Sequence, residues 1–144
     1  MAPVIRIAES PDDLLKVMVV RGIVFVEEQQ VDWEGEFDAY ERSSVHVLGE
    51  VDGQPVAAGR LRLVADGWAK IERVAVRPRW RGQGLGRAVV IFLLEEAERR
   101  DVRRFRLHAQ TYLEEFYAGY GFVREGAVFD ECGIPHILMT REDG

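Results

Sequence analysis

Residues 71–87 read Ile71-Glu72-Arg73-Val74-Ala75-Val76-Arg77-Pro78-Arg79-Trp80-Arg81-Gly82-Gln83-Gly84-Leu85-Gly86-Arg87. The β-branched and small apolar residues up to Val76 predict a strand, and Pro78 blocks its continuation. Three alternating glycines then lead into a helix. Backbone N–H groups at such a helix start point outward with partial positive charge, and glycine lets a phosphate approach them closely. Arg77, Arg79, Arg81 and Arg87 add formal charge. The stretch predicts a pyrophosphate cradle. Glycines alone would equally suit a turn that only joins strand to helix; strand, proline break, arginines and helix together favour the cradle.

The spacing separates kinds of cradle. A Walker loop needs Gly-x-x-x-x-Gly-Lys-Ser/Thr, which is absent here. A dinucleotide fingerprint needs Gly-x-Gly-x-x-Gly inside a parallel βαβ unit. Here Arg87 stands at the third glycine position, and the preceding strands read as hairpin-linked.

Outward from this loop, strand-like runs near 44–51, 55–64 and 68–76 are separated by Asp52-Gly53 and Asp66-Gly67, dipeptides that favour tight hairpin turns. Upstream, Val4–Ile7 reads as a first strand. Ser10-Pro11-Asp12-Asp13 opens a helix: Ser10 caps, Pro11 suits the first position and Asp13 completes a capping box. Leu14, Leu15, Met18, Val19 and Phe25 extend its apolar face to about residue 26. Downstream, residues 84–100 predict the longest helix, with Leu85, Ala88, Val89, Phe92, Leu93 and Ala97 at helical spacing. Residues 104–108 alternate like a strand. Thr111–Glu114 reads as a second capping box before a short helix stopped by Gly119 or Gly121. Strands near 122–129 and 134–140 close the chain. The expected fold class is mixed α/β, in the order β-α-acidic segment-β-β-β-α-β-α-β-β, as one domain over 1–144.

Composition removes several function classes. A chain of 144 residues has the size of one domain. A single cysteine, Cys132, excludes a disulfide framework, and three histidines without HExxH spacing argue against a metal site. A net charge of −6 speaks against a nucleic-acid surface. No apolar run reaches the roughly 20 residues of a membrane span, and the N-terminus lacks the layout of a secretory signal. The expected location is the cytoplasm. Residues 27–41 hold seven acids, three aromatics and no Lys or Arg. They read either as a cover favouring a cationic acceptor or as a solvated helix-loop anchored by Trp33, Phe37 and Tyr40.

Arg81-x-x-Gly84-x-Gly86 directly after Arg73-Val74-Ala75-Val76 resembles the acetyl-CoA loop of the GNAT N-acetyltransferase superfamily, and the element order above is also that family's order. The resemblance implies a central, mostly antiparallel sheet of about 6–7 strands flanked by about four helices. It implies acetyl-CoA as cosubstrate. The backbone of Val74, Ala75 and Val76 would meet the pantetheine arm, and Arg81, Gly82, Gln83, Gly84, Leu85, Gly86 and Arg87 the pyrophosphate. A backbone N–H near Val74–Val76 would stabilise charge on the acetyl oxygen where two strands diverge. Gln110-x-x-Leu113-x-x-Phe116-Tyr117-x-x-x-Gly121-Phe122 resembles a second family motif. Its tyrosine, here Tyr117, protonates the departing thiolate in many members. Gln110 stands where many members carry Asn and would contact the cofactor. Tyr117 as one more core aromatic is the competing reading.

Arg21-x-x-Val24-Phe25-Val26-Glu27-Glu28-Gln29, His108-Ala109-Gln110 and Gly133-Ile134-Pro135-His136-Ile137-x-Met139 resemble the ElaA-like and YjcF-like branch, whose acceptors are poorly defined. Glu72, on the strand before the loop, is the first candidate for general base; an exposed carboxylate paired with Arg73 or Lys70 is the alternative. His108 and His136 are reserve bases and, with Glu28, candidate acceptor contacts. Cys132 reads as a small turn residue. The implied activity is direct acetyl transfer to a primary amine of a small molecule or peptide. A non-catalytic acyl-CoA-binding sensor and an amino-sugar-phosphate acyltransferase are the alternatives; Val24–Gln29 is also reminiscent of acyl-homoserine-lactone synthases. Dimerisation through the last strands follows from family analogy alone.

Overall fold

The computed structural model describes residues 2–143. Seven strands form one sheet in the order β1-β2-β3-β4-β5-β7-β6. They are β1 (Val4–Ile7), β2 (Val45–Val51), β3 (Gln54–Leu63), β4 (Trp68–Val76), β5 (Arg104–Gln110), β6 (Val123–Glu131) and β7 (Ile134–Glu142). Every neighbouring pair is antiparallel except β4 and β5. The helices are α1 (Pro11–Arg21), α2 (Trp33–Glu36), α3 (Leu85–Arg99) and α4 (Glu114–Ala118).

Local signals account for most boundaries. Ser10 Oγ accepts from Asp13 N at 3.0 Å and the reciprocal bond closes the capping box of α1. Asp52-Gly53 adopts φ of 50° and 77°, the left-handed pair that a tight hairpin demands. Two local expectations are corrected. The first helix does not run on to residue 26 as α-helix; after Arg21 it widens into a π-helical segment, Gly22–Glu28. Such bulges mark positions where tertiary contacts override the usual ladder. The Thr111 capping box does not form either: residues 111–113 make a 3-10 turn whose preceding residue, Gln110, gives no side-chain cap, and α4 starts at Glu114.

Helices cover both sheet faces. On one, Leu85, Val89, Val90, Leu93 and Ala97 of α3 pack on Val47, Ala57, Leu61, Ile71 and Phe105. On the other, Val17 and Val20 of α1 and Val24 pack on Leu48, Ala58 and Ala75. Gly59 lets α3 lie close: a Cβ there would stand 2.6 Å from Val89 Cγ1 and 2.9 Å from Leu93 Cδ1. No helix among the described residues is long and apolar enough to cross a membrane.

Two irregularities in β4 position everything that follows. Opposite Gly59 the register slips, so that Arg73 and Val74 share the span between Glu72↔Arg60 and Ala75↔Ala58. Arg73 has φ of 57°, a left-handed conformation that a non-glycine residue adopts inside a strand only as a bulge. Beyond this point β4 also leaves β5: the parallel ladder ends at Ile71↔Leu107, while His108–Gln110 pair with β7.

Candidate active site

The splay leaves one edge of Val74, Ala75 and Val76 without a β5 partner, while the other edge stays bonded to β3. Unpaired strand edges are templates for an extended ligand backbone. A cavity of about 350 Å³ opens at this wedge. Its walls include Val74 and Glu72 from β4, His108 and Gln110 from β5, Tyr117 from α4, and His136 from β7. The structure thus brings together six residues that the sequence motifs singled out.

The glycine loop lies where β4 ends. Gly82 and Gly84 both have φ of 80°, and Gly84 stands immediately before α3. An added Cβ at either meets nothing within 4 Å, so the loop surface is open to an approaching group. The first N–H groups of α3, from Leu85, Gly86 and Arg87, have no intrahelical acceptor. Leu85 is buried and anchors the loop to the core. These features fit a pyrophosphate. Arg81 donates from Nε to Val76 O at 2.8 Å and grips Glu28 bidentately at 2.6 and 2.7 Å. Glu28, a candidate acceptor contact, thus has its carboxylate on the loop arginine and is not among the residues lining the cavity.

The acidic segment is corrected as well. Glu36, Asp38 and Glu41 are neither a free cationic-acceptor site nor a solvated face. Arg21, fully buried, donates to Glu36 at 2.7 Å and to both Glu41 oxygens at 2.7 Å. Arg60, also fully buried, donates to Asp38, Glu41 and Glu72 at 2.8–3.0 Å. Arg73 reaches Glu36 and Asp38 from the bulge. Burial works to raise the pKa of Glu41 and Asp38, but the guanidiniums outweigh it and hold each at about 2. At Glu36 burial wins and the pKa rises.

Glu72 sits in the same network. Its Oε1 accepts from Arg60 at 2.8 Å and from Arg62 at 2.9 Å, with Lys70 Nζ 3.4 Å from Oε2. Burial pushes its pKa up, yet Arg62, Arg60 and Lys70 pull it below the usual carboxylate range. A carboxylate held by three cations takes a proton less readily, which weighs against the expectation of Glu72 as base.

The reserve candidate, His108, lies opposite. His108 Nδ1 is 2.8 Å from Glu131 Oε1, and His136 Nε2 is 3.5 Å from Glu131 Oε2. A carboxylate only accepts, so His108 Nδ1 donates, and in the neutral ring that arrangement puts the lone pair on Nε2. The hydrogen bond from His108 leads in lowering the pKa of Glu131, which stays ionised. Sequence reading passed over Glu131 because its partner is 23 residues away. Only the β5-β7-β6 pairing puts the two side by side. His136 Nδ1 lies 2.7 Å from Ile134 O, fixing its ring in the wall.

Tyr117 is 6% exposed and packs against Phe116 and Phe122 while reaching the cavity. Burial foremost, with Tyr112 and Tyr120 adding, raises its pKa, so the phenol keeps its proton. Gln110 Nε2 donates to Gln29 Oε1 at 2.9 Å, tying the residue after the π-helical segment to the wedge. Cys132 is exposed in the β6-β7 turn with φ of 53° and also borders the cavity.

A mixed sheet whose parallel pair splays at a bulge, with a glycine loop capping the next helix, defines the acyltransferase fold of the GNAT type. Comparison with known proteins agrees. Residues 19–142 match the family model described as an acetyltransferase (GNAT) domain. An uncharacterized N-acetyltransferase of Bacillus subtilis, YjcF, is 36% identical over 94% of this chain and 97% of its own. The crystal structure of Escherichia coli ElaA superposes with a TM-score of 0.88 at 28% identity, over 98% of this chain and 100% of that one. An acyl-CoA N-acyltransferase structure from Pseudomonas aeruginosa gives 0.85 at 33% identity, over 97% and 98%. The chain belongs to the GNAT acetyltransferase family, in the company of ElaA and YjcF, and is an N-acyltransferase.

Proposed function

We propose that the protein transfers the acetyl group of acetyl-CoA to a primary amine by direct attack on the thioester. The carrying observation is the splay beyond Ile71, which leaves Val74–Val76 without a β5 partner at a cavity lined by His108 and Tyr117. The pantetheine arm would pair with that edge, and the N–H groups and glycines of residues 82–87 would take the pyrophosphate, helped by Arg81. Acetyl-CoA supplies the activated carbonyl; the chain's own residues bind, orient and move protons.

An ammonium ion has no lone pair, so the acceptor must lose a proton before it attacks. His108 Nε2 takes that proton, directly or through a water, and Glu131 holds the ring and stabilises the charge it gains. As the C–S bond breaks, the Tyr117 hydroxyl gives its proton to the sulfur. A backbone N–H near the bulge stabilises the charge on the acetyl oxygen. Gln110 positions the acyl arm, and His136 shapes the acceptor end. Nothing in this scheme calls for a metal ion, a nucleic acid or a membrane, and the cytoplasm, where acetyl-CoA is made and used, suits it. Strand β6 is an edge strand with Val123 and Val128 exposed, which supports a homodimer through the last strands.

Calorimetric titration of acetyl-CoA tests the reading, with desulfo-CoA and NAD as comparators. Micromolar binding that Gly84→Val abolishes and NAD cannot reproduce is the expected result. An amine panel read by thiol release follows. Absence of binding at near-millimolar acetyl-CoA removes the cradle and the reaction with it; binding without turnover of any amine leaves an acyl-CoA sensor.

A further inference from the structure

Three cations stand in register across three neighbouring strands. Arg62 of β3 is paired with Lys70 of β4, and Lys70 with Arg106 of β5. Their chain neighbours Leu61, Ala69, Ile71, Phe105 and Leu107 fill the core under α3, so the three charged side chains share the opposite face, that of the cavity. Arg62 and Lys70 line the cavity itself. Like charges at opposed positions of a sheet repel, and such a row lowers stability unless something compensates it.

The protein compensates it incompletely. Glu72 is the acid in contact with them, and Arg60 already claims one of its oxygens; Glu131 across the cavity also feels the Lys70 charge, but its carboxylate is held by His108. Among the described residues, Lys70 donates no hydrogen bond and lies 3.4 Å from Glu72, although its side chain is only 15% exposed. Arg106, half-buried, has neither a hydrogen bond nor an ion pair among the described residues. Lys70 at the cavity wall, with one long ion pair, and Arg106 beside it on the same sheet face, with none, leave positive charge in excess there, which an anion from outside would satisfy.

We infer that the acceptor amine carries an anionic group, a carboxylate or a phosphate, which the Arg62–Lys70–Arg106 row binds. Arg106 lies two residues before His108 on the same face of β5, a separation of about 7 Å along the strand. An amine reaching His108 can therefore place an anionic group beside Arg106 and Lys70 when a few bonds separate the two. This rests on the acetyl-transfer reading and reverses the charge that the acidic segment suggests for the acceptor, because the acids of that segment nearest the cavity, Glu36 and Asp38, are paired with Arg21, Arg60 and Arg73.

The test separates the two readings. Glutarate and inorganic phosphate are titrated calorimetrically into the wild-type protein and into Arg106→Gln and Arg106→Lys variants, at low and high salt. Saturable binding of one anion, weakened about tenfold by Arg106→Gln, retained by Arg106→Lys and reduced by salt, is the expected result. Which anion binds tells carboxylate from phosphate. In parallel, amines are compared by kcat/KM in matched pairs with and without a carboxylate or phosphate. The anionic member leads by about tenfold in the wild type, and that ratio shrinks in Arg106→Gln. Failure of both anions to bind at about 10 mM, or a preference for uncharged or dicationic amines, overturns the anionic-acceptor proposal even if acetyl transfer is active. Anion binding without turnover of any amine keeps the cationic site and removes the acetyl-transfer reading.

Discussion

Glu28 and Arg81, 53 residues apart in sequence, form a bidentate ion pair at 2.6 and 2.7 Å beside the glycine loop. Glu28 ends the π-helical segment, and the next residue, Gln29, holds Gln110. The same short segment thus fastens both the loop and the wedge. A carboxylate on Arg81 occupies the guanidinium face that a pyrophosphate would use, so cofactor binding and this ion pair compete. Glu28→Gln is expected to tighten CoA binding about three- to tenfold, and Arg81→Ala to weaken it by a similar factor. Calorimetry on both variants checks this; equal affinity in Glu28→Gln and wild type would mean that the pair does not obstruct the site.

Tyr117→Phe removes one oxygen and leaves the packing on Phe116 and Phe122 in place. A drop of roughly 10²–10⁴-fold in kcat is expected, with acetyl-CoA affinity unchanged. Steady-state kinetics beside a CoA titration separates the two quantities.

The two base candidates give opposite signatures. His108→Gln should lower kcat by about 10²–10⁴-fold while the melting temperature holds. Glu131→Gln should show a smaller loss in the same direction, since it only frees the ring. Glu72→Gln leaves Arg60, Arg62 and Lys70 facing one another across buried wall, and breaking such a pair costs about 3–5 kcal/mol. Its main effect is expected in urea denaturation. A folded Glu72→Gln protein with catalysis abolished would restore Glu72 as the base.

Acid sensitivity follows from Asp38 and Glu41. Both are held at about 2 in the folded protein, below ordinary values of 3.8 and 4.5. A depressed folded pKa gives stability that is present above the unfolded value and lost as pH falls through the folded one. Unfolding free energy should therefore decline from about pH 4.5 down to about pH 2. Glu41→Gln should flatten part of that slope, measured by denaturant titration at several pH values.

Gly59→Val places carbon atoms where Val89 and Leu93 already stand. Overpacking of a filled core costs about 1–3 kcal/mol, and here helix α3 would be displaced with it. Thermal denaturation should show a lowered midpoint, with CoA affinity reduced because α3 carries the loop's N–H groups.

Much of this protein is legible in the chain because the signals are local. Pro78, the alternating glycines and the apolar spacing of 85–97 specify strand, loop and helix through backbone geometry that each residue carries with it. The Asp52-Gly53 turn and the Ser10 cap act over two to four residues and form as read, while Asp66-Gly67 still reverses the chain but within a longer 3-10 turn, Ala65–Gly67. Thr111 shows the limit of that kind of inference. Its capping pattern lost to the geometry of a chain leaving the end of β5, where Gln110 is bonded to Gln29.

The site's electrostatics were decided elsewhere. The acids of 27–41 all count as charge in the sequence, but in the fold three arginines from α1, β3 and the β4 bulge pair with Glu36, Asp38 and Glu41 while Glu27, Asp32 and Glu34 stay exposed. Glu72 looked like a base on a strand until those neighbours and Lys70 closed around it. His108 and Glu131 became a pair only when β7 was laid between their strands in the chain order of the sheet. By itself the sequence determined the scaffold, the loop and the acid Tyr117 as a candidate, since motifs of fixed spacing hold their own geometry. The tertiary structure alone decided which groups are charged, paired or free, because Coulomb interactions depend on distance through space and the strand order brings distant residues within 3 Å.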